Sequence, residues 1–245
     1  MSGSTNENEW KSGSYNQLVL PLSQIPRLTG EDFFIGTANE MADSFIKSWP
    51  NWPSNIVLLT GPEGSGKSHL VSIWRDIAGA FVMSEEDLSD CDLVALARSK
   101  RPVVVELNSA DGLELDQRSL FFFINAIKTY GNYAIITSRV PFSYPYFTVP
   151  DLVSRLRASV LLTLNKPDDD LLQAILSKLF RDYGITVSQQ VLLYAIRHIE
   201  RSYKAAISLA GTLNRISLIT QSPVTRSMVR RVIDQEDGYF PGWDS

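Results

Sequence analysis

The sequence of 245 residues contains one cysteine, two histidines and no long apolar run. Cys91 has no partner for an intrachain disulfide, which fits a reducing compartment. His69 and His198 have no other His or Cys at a spacing that would bind zinc. No apolar run approaches the roughly 18 residues of a membrane span, and the N-terminus lacks the apolar region of a signal peptide. We therefore expect a cytoplasmic protein without a membrane partner.

A surplus of positive charge is also missing. The chain has 23 Lys and Arg against 27 Asp and Glu, a formal net charge of −4. Binding of DNA or an anionic membrane through the whole surface is therefore not expected, although a local basic patch stays compatible with this charge. At 44% hydrophobic residues, the chain has the composition of a globular protein with one large domain or two smaller ones.

Short aliphatic runs alternate with helical patterns in the first two thirds of the chain. The runs are NIVLLTG (55–61), AFVM (80–83), PVVVELN (102–108), YAIITS (133–138) and SVLLTL (159–164). They are almost continuously apolar, as expected for parallel strands covered on both faces. Residues 24–165 are therefore predicted to form an α/β domain with a parallel sheet, and the triplet Phe121–Phe123 is expected in its core.

The pattern changes after Pro167. Residues 168–183, 188–198, 202–219 and 225–233 have helical patterns. Asp168, Ser188 and Thr225 stand where N-cap residues are expected. The sequence thus predicts a small all-helical unit over residues 166–235, followed by a loose C-terminus over 236–245.

The strongest motif is GPEGSGKS, which fits G-x4-G-K-[S/T] and lies between an apolar run and a helical pattern. In this order, glycines let backbone N–H groups turn around phosphate oxygens at the positive end of the helix. Lys67 then reaches the β- and γ-phosphates, and the Ser68 hydroxyl binds Mg²⁺. The motif predicts a site for ADP or ATP with Mg²⁺. Its residues are Gly61, Pro62, Glu63, Gly64, Ser65, Gly66, Lys67, Ser68 and His69.

The acids of ATP hydrolysis are expected at the end of VVVELN. A P-loop ATPase needs one carboxylate for Mg²⁺ and a second to activate the attacking water. Glu106 fits the Mg²⁺ position, but Leu107 follows it, and a shift by one residue puts Val105 in the metal position. One acid is missing in either register, unless another such as Asp111 substitutes. We predict weak or absent intrinsic hydrolysis; an ordinary strand with a charged end is the alternative.

Two further motifs place polar residues near such a site. In IITSR, Ser138 follows an apolar run and either orients water beside the γ-phosphate or is simply a polar strand end. In SRLRA, Arg155 and Arg157 fall on a short helix. An arginine there can enter the nucleotide pocket of a neighbouring subunit and neutralise phosphate charge. On their own, however, two such arginines are more often ordinary surface residues.

An apolar run, QLVLPL, interrupts the polar N-terminal segment. Residues 1–15 have the composition of a disordered tail. The proline keeps the run extended, its leucines suit an apolar groove, and the glutamine amide can fix one end by hydrogen bonds. The residues leave the interpretation open: either a docking peptide over residues 16–23, or a first edge strand or a strap over the α/β core.

Over roughly residues 17–233, the chain resembles the DnaA family of AAA+ proteins, and more closely the short Hda-type regulators of that family. FFIGTANEMA (33–42) is similar to the family segment F-x-V-G-x-x-N-x-x-A, and the P-loop and TSR follow at family spacing. DLVSRL (151–156) is similar to box VII, and residues 200–218 correspond to the sensor-2 helix. The resemblance implies an AAA+ α/β domain followed by a helical lid.

The resemblance also implies residue roles. Gly36 and Asn39 lie against the adenine in the family, and Ser138 is the counterpart of sensor 1. Glu106 stands in a degenerate Walker B motif, because the usual paired acids are absent.

Arg155 is the counterpart of the arginine finger, which would act in trans on nucleotide bound to DnaA. The sensor-2 position is ambiguous, since Arg201 and Lys204 both compete for it.

Hda-type proteins carry an N-terminal peptide close to Q-L-x-L-P-L that binds the DNA polymerase III sliding clamp, its β subunit. The resemblance implies the same role here for Gln17, Leu18, Leu20, Pro21 and Leu22. The sequence ends at Ser245 without the helix-turn-helix domain of a DnaA initiator. Direct sequence-specific DNA binding is therefore not expected.

These features predict a negative regulator of chromosomal replication initiation that docks on the clamp and promotes hydrolysis of DnaA-bound ATP. The alternative is a nucleotide-binding adaptor that recruits DnaA or other replication factors without stimulating hydrolysis. A small-molecule P-loop kinase would need a general base and a substrate pocket, and the sequence offers neither clearly. Whether ADP or ATP is the working ligand, and whether copies form a homo-oligomer, stays open.

Overall fold

A computed structural model of the chain describes Gly36 and residues 39–108 and 115–234. Within these residues, no helix has both the length and the apolar character needed to cross a membrane. The predicted tail (1–15), docking peptide (16–23) and C-terminus (236–245) lie outside the described residues. The predicted boundaries of the α/β domain and the lid therefore stay predictions.

The described residues alternate between strands and helices up to residue 163 and are helical afterwards. The strands are β1 (Ile56–Thr60), β2 (Phe81–Ser84), β3 (Val103–Glu106), β4 (Ala134–Ser138) and β5 (Val160–Thr163). The helices are α1 (Glu40–Lys47), α2 (Lys67–Ala78), α3 (Asp87–Asp90), α4 (Leu93–Arg98), α5 (Gln117–Tyr130), α6 (Pro150–Arg157), α7 (Asp169–Asp182), α8 (Gln189–His198), α9 (Tyr203–Thr220) and α10 (Arg226–Asp234). Each predicted strand is present, whereas α3 and α4 were not anticipated.

The strands of the described residues form one parallel sheet in the order β2-β3-β4-β1-β5. Thr60 at the end of β1 is opposite Ser138 at the end of β4, and Glu106 at the end of β3 is opposite Thr137. Parallel strands place their carboxyl ends at one sheet edge, where α/β proteins bind ligands. The P-loop, Glu106 and Ser138 are therefore neighbours through the sheet order.

Both faces of the sheet are buried. Leu58 packs in a cluster formed with α5 and α6, whereas its neighbour Leu59 packs in a cluster formed with α1 and α2. The second cluster contains Trp74, which has no exposed surface and stacks on Trp52 at a centroid distance of 5.1 Å. Burial on both faces explains the continuous apolar runs, and the predicted α/β fold with a helical C-terminal unit is confirmed.

One expectation about the core was only partly right. Phe123 is fully buried, but Phe122 is 62% exposed. Successive residues of a helix point in directions about 100° apart, so a run of three cannot all face one sheet.

Helices α7–α10 enclose a hydrophobic cluster of their own. The N-termini of α7, α8 and α10 are capped where the sequence predicted. Asp168 accepts a hydrogen bond from the Leu171 N–H at 2.8 Å, and Ser188 accepts one from the Val191 N–H at 3.4 Å. The Thr225 hydroxyl oxygen accepts from a backbone N–H in the first turn of α10 at 3.3 Å. Such caps satisfy donors that a helix start leaves unpaired.

The helical cluster gives a direct stability prediction. Leu209 on α9 is 1% exposed, whereas Leu218 on the same helix is 60% exposed. We expect Leu209→Ala to lower the free energy of unfolding by about 2–5 kcal/mol, because it leaves a cavity in the core. Leu218→Ala should change it by less than about 0.5 kcal/mol. Urea denaturation followed by circular dichroism measures both, and equal losses would contradict this packing.

Candidate functional site

The P-loop connects β1 to α2 and relies on glycine at two positions. Gly64 and Gly66 have φ values of 72° and 99°, which residues with a side chain rarely adopt. Gly66 is also the N-cap of α2, and α2 has no acidic residue in its first turn. Since glycine has no side chain to cap with, the first N–H groups of α2 remain available to an anionic ligand.

Lys67 extends back across this loop. Its Nζ donates to the backbone carbonyls of Gly61 at 2.6 Å and Pro62 at 2.9 Å. Burial lowers the pKa of Lys67 and the Arg139 guanidinium lowers it further, whereas the Glu63 and Glu106 carboxylates act in the opposite direction. The lysine that the motif assigns to phosphate therefore shares its surroundings with two acids and one arginine.

The end of β3 supplies a single acid. Glu106 is partly buried, and the next residue, Leu107, is 5% exposed and belongs to the core. The Leu107 N–H donates to the Thr137 carbonyl at 3.0 Å, which extends the pairing of β3 with β4. Leu107 is thus fixed as an apolar core residue at the position directly after Glu106. Asp111, the other candidate, lies outside the described residues.

Ser138 ends β4 beside the P-loop, and its carbonyl accepts from the Gly61 N–H at 3.3 Å. Its side chain is 1% exposed. The hydroxyl donates to the Val140 carbonyl at 2.8 Å and accepts from the Val140 N–H at 3.1 Å. Ser138 therefore lies next to the predicted site, and its hydroxyl stabilises the turn after β4.

A cluster of charges joins the P-loop to the helical unit. The Glu63 carboxylate lies 3.2 Å from Lys204 Nζ on α9 and 3.5 Å from Arg139 Nη1 after β4. The hydrogen bond and charge of Lys204, followed by the charge of Arg139, lower the pKa of Glu63. We call Glu63, Lys204 and Arg139 the Glu63 cluster. Arg201, the other candidate for sensor 2, instead pairs with Asp169 of α7 at 2.8 Å.

The predicted adenine residues contact the same part of α9. Asn39, only 3% exposed, accepts a hydrogen bond from the Gly36 N–H at 2.8 Å and donates to the Tyr203 hydroxyl at 2.9 Å. Burial raises the pKa of Tyr203, so this hydroxyl stays neutral. Gly36 and Asn39 are thus linked by hydrogen bonds to the start of α9.

The start of α9 lies directly on the P-loop. The Tyr203 N–H donates to the Gly64 carbonyl at 2.9 Å. A Cβ atom at Gly64 would be 2.3 Å from Ser202 Cβ, and one at Gly66 would be 3.2 Å from the Tyr203 ring. Ser202 and Tyr203 were not predicted as site residues, because their contacts are with residues far away in the chain. The one available signal was that they begin the helix assigned to sensor 2.

Arg155 lies apart from these groups, in the last turn of α6. Its side chain is exposed, and none of the described residues forms an ion pair with it. Its charge helps to lower the pKa of Lys128 on α5, after the larger effect of burial. Arg157 is exposed on the same helix turn. The predicted arginine finger is therefore available to a group outside this chain.

The residues present fit a nucleotide with Mg²⁺. The uncapped start of α2 and Lys67 suit phosphate, and the exposed Ser68 hydroxyl and the Glu106 carboxylate are oxygen ligands of the kind Mg²⁺ prefers. His69 is half-buried in the first turn of α2. Among the described residues, no group of three or more His, Cys, Asp or Glu could hold a metal.

Comparison with solved structures shows which fold this is. Domain III of the replication initiation protein DnaA from Thermotoga maritima aligns with a TM-score of 0.70 at 19% identity, covering 85% of this chain and 96% of that one. The replication initiator DnaA bound to AMPPCP and single-stranded DNA aligns with a TM-score of 0.68 at 17% identity, covering 86% of this chain and 70% of that one. The Thermotoga maritima RuvB Holliday junction branch migration motor aligns with a TM-score of 0.65 at 15% identity, covering 86% of this chain and 72% of that one. The fold is that of an AAA+ P-loop domain with its helical C-terminal part.

Sequence comparison also finds DnaA proteins, although no protein-family model matches the chain. It is 26% identical to DnaA of Thermomicrobium roseum over 86% of this chain and 50% of that protein. It is 26% identical to DnaA of Caulobacter vibrioides over 82% of this chain and 47% of that protein. The chain thus spans about half the length of these DnaA relatives. An uncharacterized protein of Haemophilus influenzae is 23% identical over 89% of this chain and 98% of its own length.

The contact between α9 and the P-loop can be tested with two glycines. We expect Gly64→Ala to lower the free energy of unfolding by at least about 1 kcal/mol more than Gly79→Ala does. An alanine at either position has a φ that costs about 1–2 kcal/mol, but only Gly64 also faces Ser202 at clashing distance. An added Cβ at Gly79 (φ 64°) meets nothing within 4 Å. Chemical denaturation of both variants measures the difference, and equal losses would mean that α9 does not lie against Gly64.

Proposed function

We propose that this chain is a nucleotide-binding AAA+ regulator of replication initiation that promotes hydrolysis of ATP bound to DnaA. The observation that carries the proposal is Arg155, an exposed arginine without an ion-pair partner among the described residues, on a helix of a DnaA-like AAA+ fold. A guanidinium in this state is free to bind phosphate oxygens of another molecule.

The chain's own site would hold ADP or ATP. The backbone N–H groups at the start of α2 and Lys67 would bind the phosphates, while Ser68 and Glu106 would face Mg²⁺. Gly36 and Asn39 would lie against the adenine, and Lys204 is the better sensor-2 candidate because it already contacts the P-loop through Glu63. The negative charge of the polyphosphate would attract Lys67 and Lys204. One solved DnaA of this fold is described as bound to AMPPCP.

Intrinsic hydrolysis would be weak. The position after Glu106 is the buried Leu107, and the Ser138 hydroxyl already has two hydrogen bonds to Val140. Without a second acid, no described group beside Glu106 is placed to take a proton from an attacking water. Such a site suits a protein that holds its nucleotide rather than one that turns it over.

Action on DnaA would use Arg155 in trans. Charge accumulates on the phosphate oxygens as the terminal phosphoryl group is transferred, and a guanidinium that donates to them stabilises that charge. The finger acts in the partner's pocket, so the missing acid at Leu107 does not impair it.

Arg155→Ala should lower the stimulation of DnaA-ATP hydrolysis by about 10³-fold or more, in the range found for arginine fingers. The matched control is Arg157→Ala, which removes the same charge from the same exposed helix turn. We would measure phosphate release from DnaA-ATP in the presence of clamp loaded on DNA. Equal stimulation by wild type and Arg155→Ala would rule out the finger role. Binding of DnaA without stimulated hydrolysis by the wild type would favour the recruitment adaptor.

We also propose that the segment 16–23 docks on the sliding clamp. It lies outside the described residues, so its support is the sequence QLVLPL and the resemblance that it completes. An extended apolar peptide of this kind binds a groove through its alternate side chains.

A pull-down with purified clamp tests the docking segment. The Gln17→Ala, Leu20→Ala double variant should lose most clamp binding, because it removes both the amide and an apolar anchor. The Ser12→Ala, Ser14→Ala double variant of the same tail should bind like the wild type. Unchanged binding by the first variant would return QLVLPL to the edge-strand interpretation.

A further inference from the structure

Glu63 stands out among the residues of the P-loop because its side chain binds two cations from other parts of the fold. Its carboxylate is 3.2 Å from Lys204 Nζ of α9 and 3.5 Å from Arg139 Nη1, which follows β4. Glu63 itself comes from the loop after β1. One acidic side chain therefore connects the P-loop to the helical unit and to the neighbouring strand end.

The cations of the Glu63 cluster are held beside the P-loop by backbone contacts. Arg139 follows Ser138, whose carbonyl accepts from the Gly61 N–H at 3.3 Å, and Lys204 follows Tyr203, whose N–H donates to the Gly64 carbonyl at 2.9 Å. Glu63 lies between these two glycines, in the loop that the motif assigns to phosphate. A nucleotide would bring several negative charges to the place where Glu63 already supplies one. Phosphate oxygens and the Glu63 carboxylate would then compete for Lys204 and Arg139, since each is an acceptor for charged N–H donors.

We propose that Glu63 sets the nucleotide affinity of this chain by competing with phosphate for Lys204 and Arg139. The proposal rests on the nucleotide-binding part of the function proposed above. Binding is an exchange in which phosphate oxygens replace the carboxylate at the two cations and Glu63 turns toward water. The Glu63 side chain is 56% exposed, so it can be hydrated again without leaving a buried charge. Neutralising this side chain strengthens nucleotide binding.

A carboxylate at a phosphate loop has another conceivable role, which predicts the opposite result. If Glu63 held Mg²⁺ through water, its neutralisation would weaken nucleotide binding, and only when Mg²⁺ is present. Competition for the two cations needs no metal. Measurement with Mg²⁺ and with EDTA therefore separates the two roles.

The test is isothermal titration of ADP and ATP into wild type, Glu63→Gln and Glu200→Gln. Glutamine keeps the size of glutamate and removes only the charge. Glu200 is the matched control, because it also forms an exposed ion pair, with Lys166 at 3.6 Å, and its side chain is 64% exposed. We expect Glu63→Gln to bind both nucleotides about three- to tenfold more tightly, the size expected from exposed ion pairs. Glu200→Gln should bind like the wild type.

The salt dependence gives a second measurement. Glu63→Gln has one more uncompensated positive charge near the phosphates, so its affinity should fall more steeply between low and high ionic strength. Tighter binding with and without Mg²⁺, together with the steeper salt dependence, supports the proposal.

Unchanged or weaker binding by Glu63→Gln overturns this proposal and leaves nucleotide binding by the wild type intact. If neither protein binds ADP or ATP, the nucleotide-binding part of the proposed function fails, and the role of Glu63 fails with it. Thermal denaturation without nucleotide confirms that the variants are folded.

Discussion

The site depends on the contact between the start of α9 and the P-loop. The Tyr203 backbone N–H donates to the Gly64 carbonyl, and the Tyr203 hydroxyl accepts from Asn39, 164 residues away in the chain. The Tyr203 ring lies so close to Gly66 that an added Cβ would be 3.2 Å from it. One residue thus links the P-loop, the segment before α1 and the helical unit through its backbone and its side chain. Lys204, the next residue, is thereby held at Glu63.

This contact explains why the loop needs glycine for more than its backbone conformation. Gly64 and Gly66 adopt φ values that favour glycine. An added Cβ at Gly64 would also clash with Ser202 at 2.3 Å, and one at Gly66 would be in tight contact with the Tyr203 ring at 3.2 Å. A ligand that changes the loop must therefore act on α9 as well, because the two share a hydrogen bond and close contacts. If a ligand binds more tightly when α9 is in one position than in another, it favours that position by the difference between the two binding free energies.

Much of the fold was accessible from the sequence because it depends on local patterns. Continuous apolar runs identified each strand, and Asp168, Ser188 and Thr225 identified helix starts through capping chemistry. The P-loop is a local motif as well. By contrast, α3 and α4 are short helices between two strands, and their sequences have no strong helical periodicity of apolar residues. Phe122 was placed in the core because a triplet gives no indication of which member faces solvent.

The site was less accessible than the fold, since its chemistry depends on contacts between distant segments. Sequence alone left both Arg201 and Lys204 as candidates; the structure separates them, because Lys204 on α9 lies at Glu63 whereas Arg201, which precedes α9, pairs with Asp169. The role of Tyr203 needed the same information. Glu63 belonged to a recognised motif, yet its two cations come from the residue after β4 and from α9. No spacing rule connects these three positions.

The departure at Leu107 is part of the core as well as of the site. Leu107 is 5% exposed and shares its cluster with Leu115 and Phe142, while its N–H holds β3 to β4. A carboxylate at this position would be desolvated, at a cost of several kcal/mol unless it found partners. Introducing an acid at this position therefore requires repacking of the neighbouring residues, beyond a single substitution. The apolar residue after Glu106 is thus built into the packing of the sheet, and helix α6, which carries the exposed Arg155, packs on the same cluster through Leu152 and Leu156.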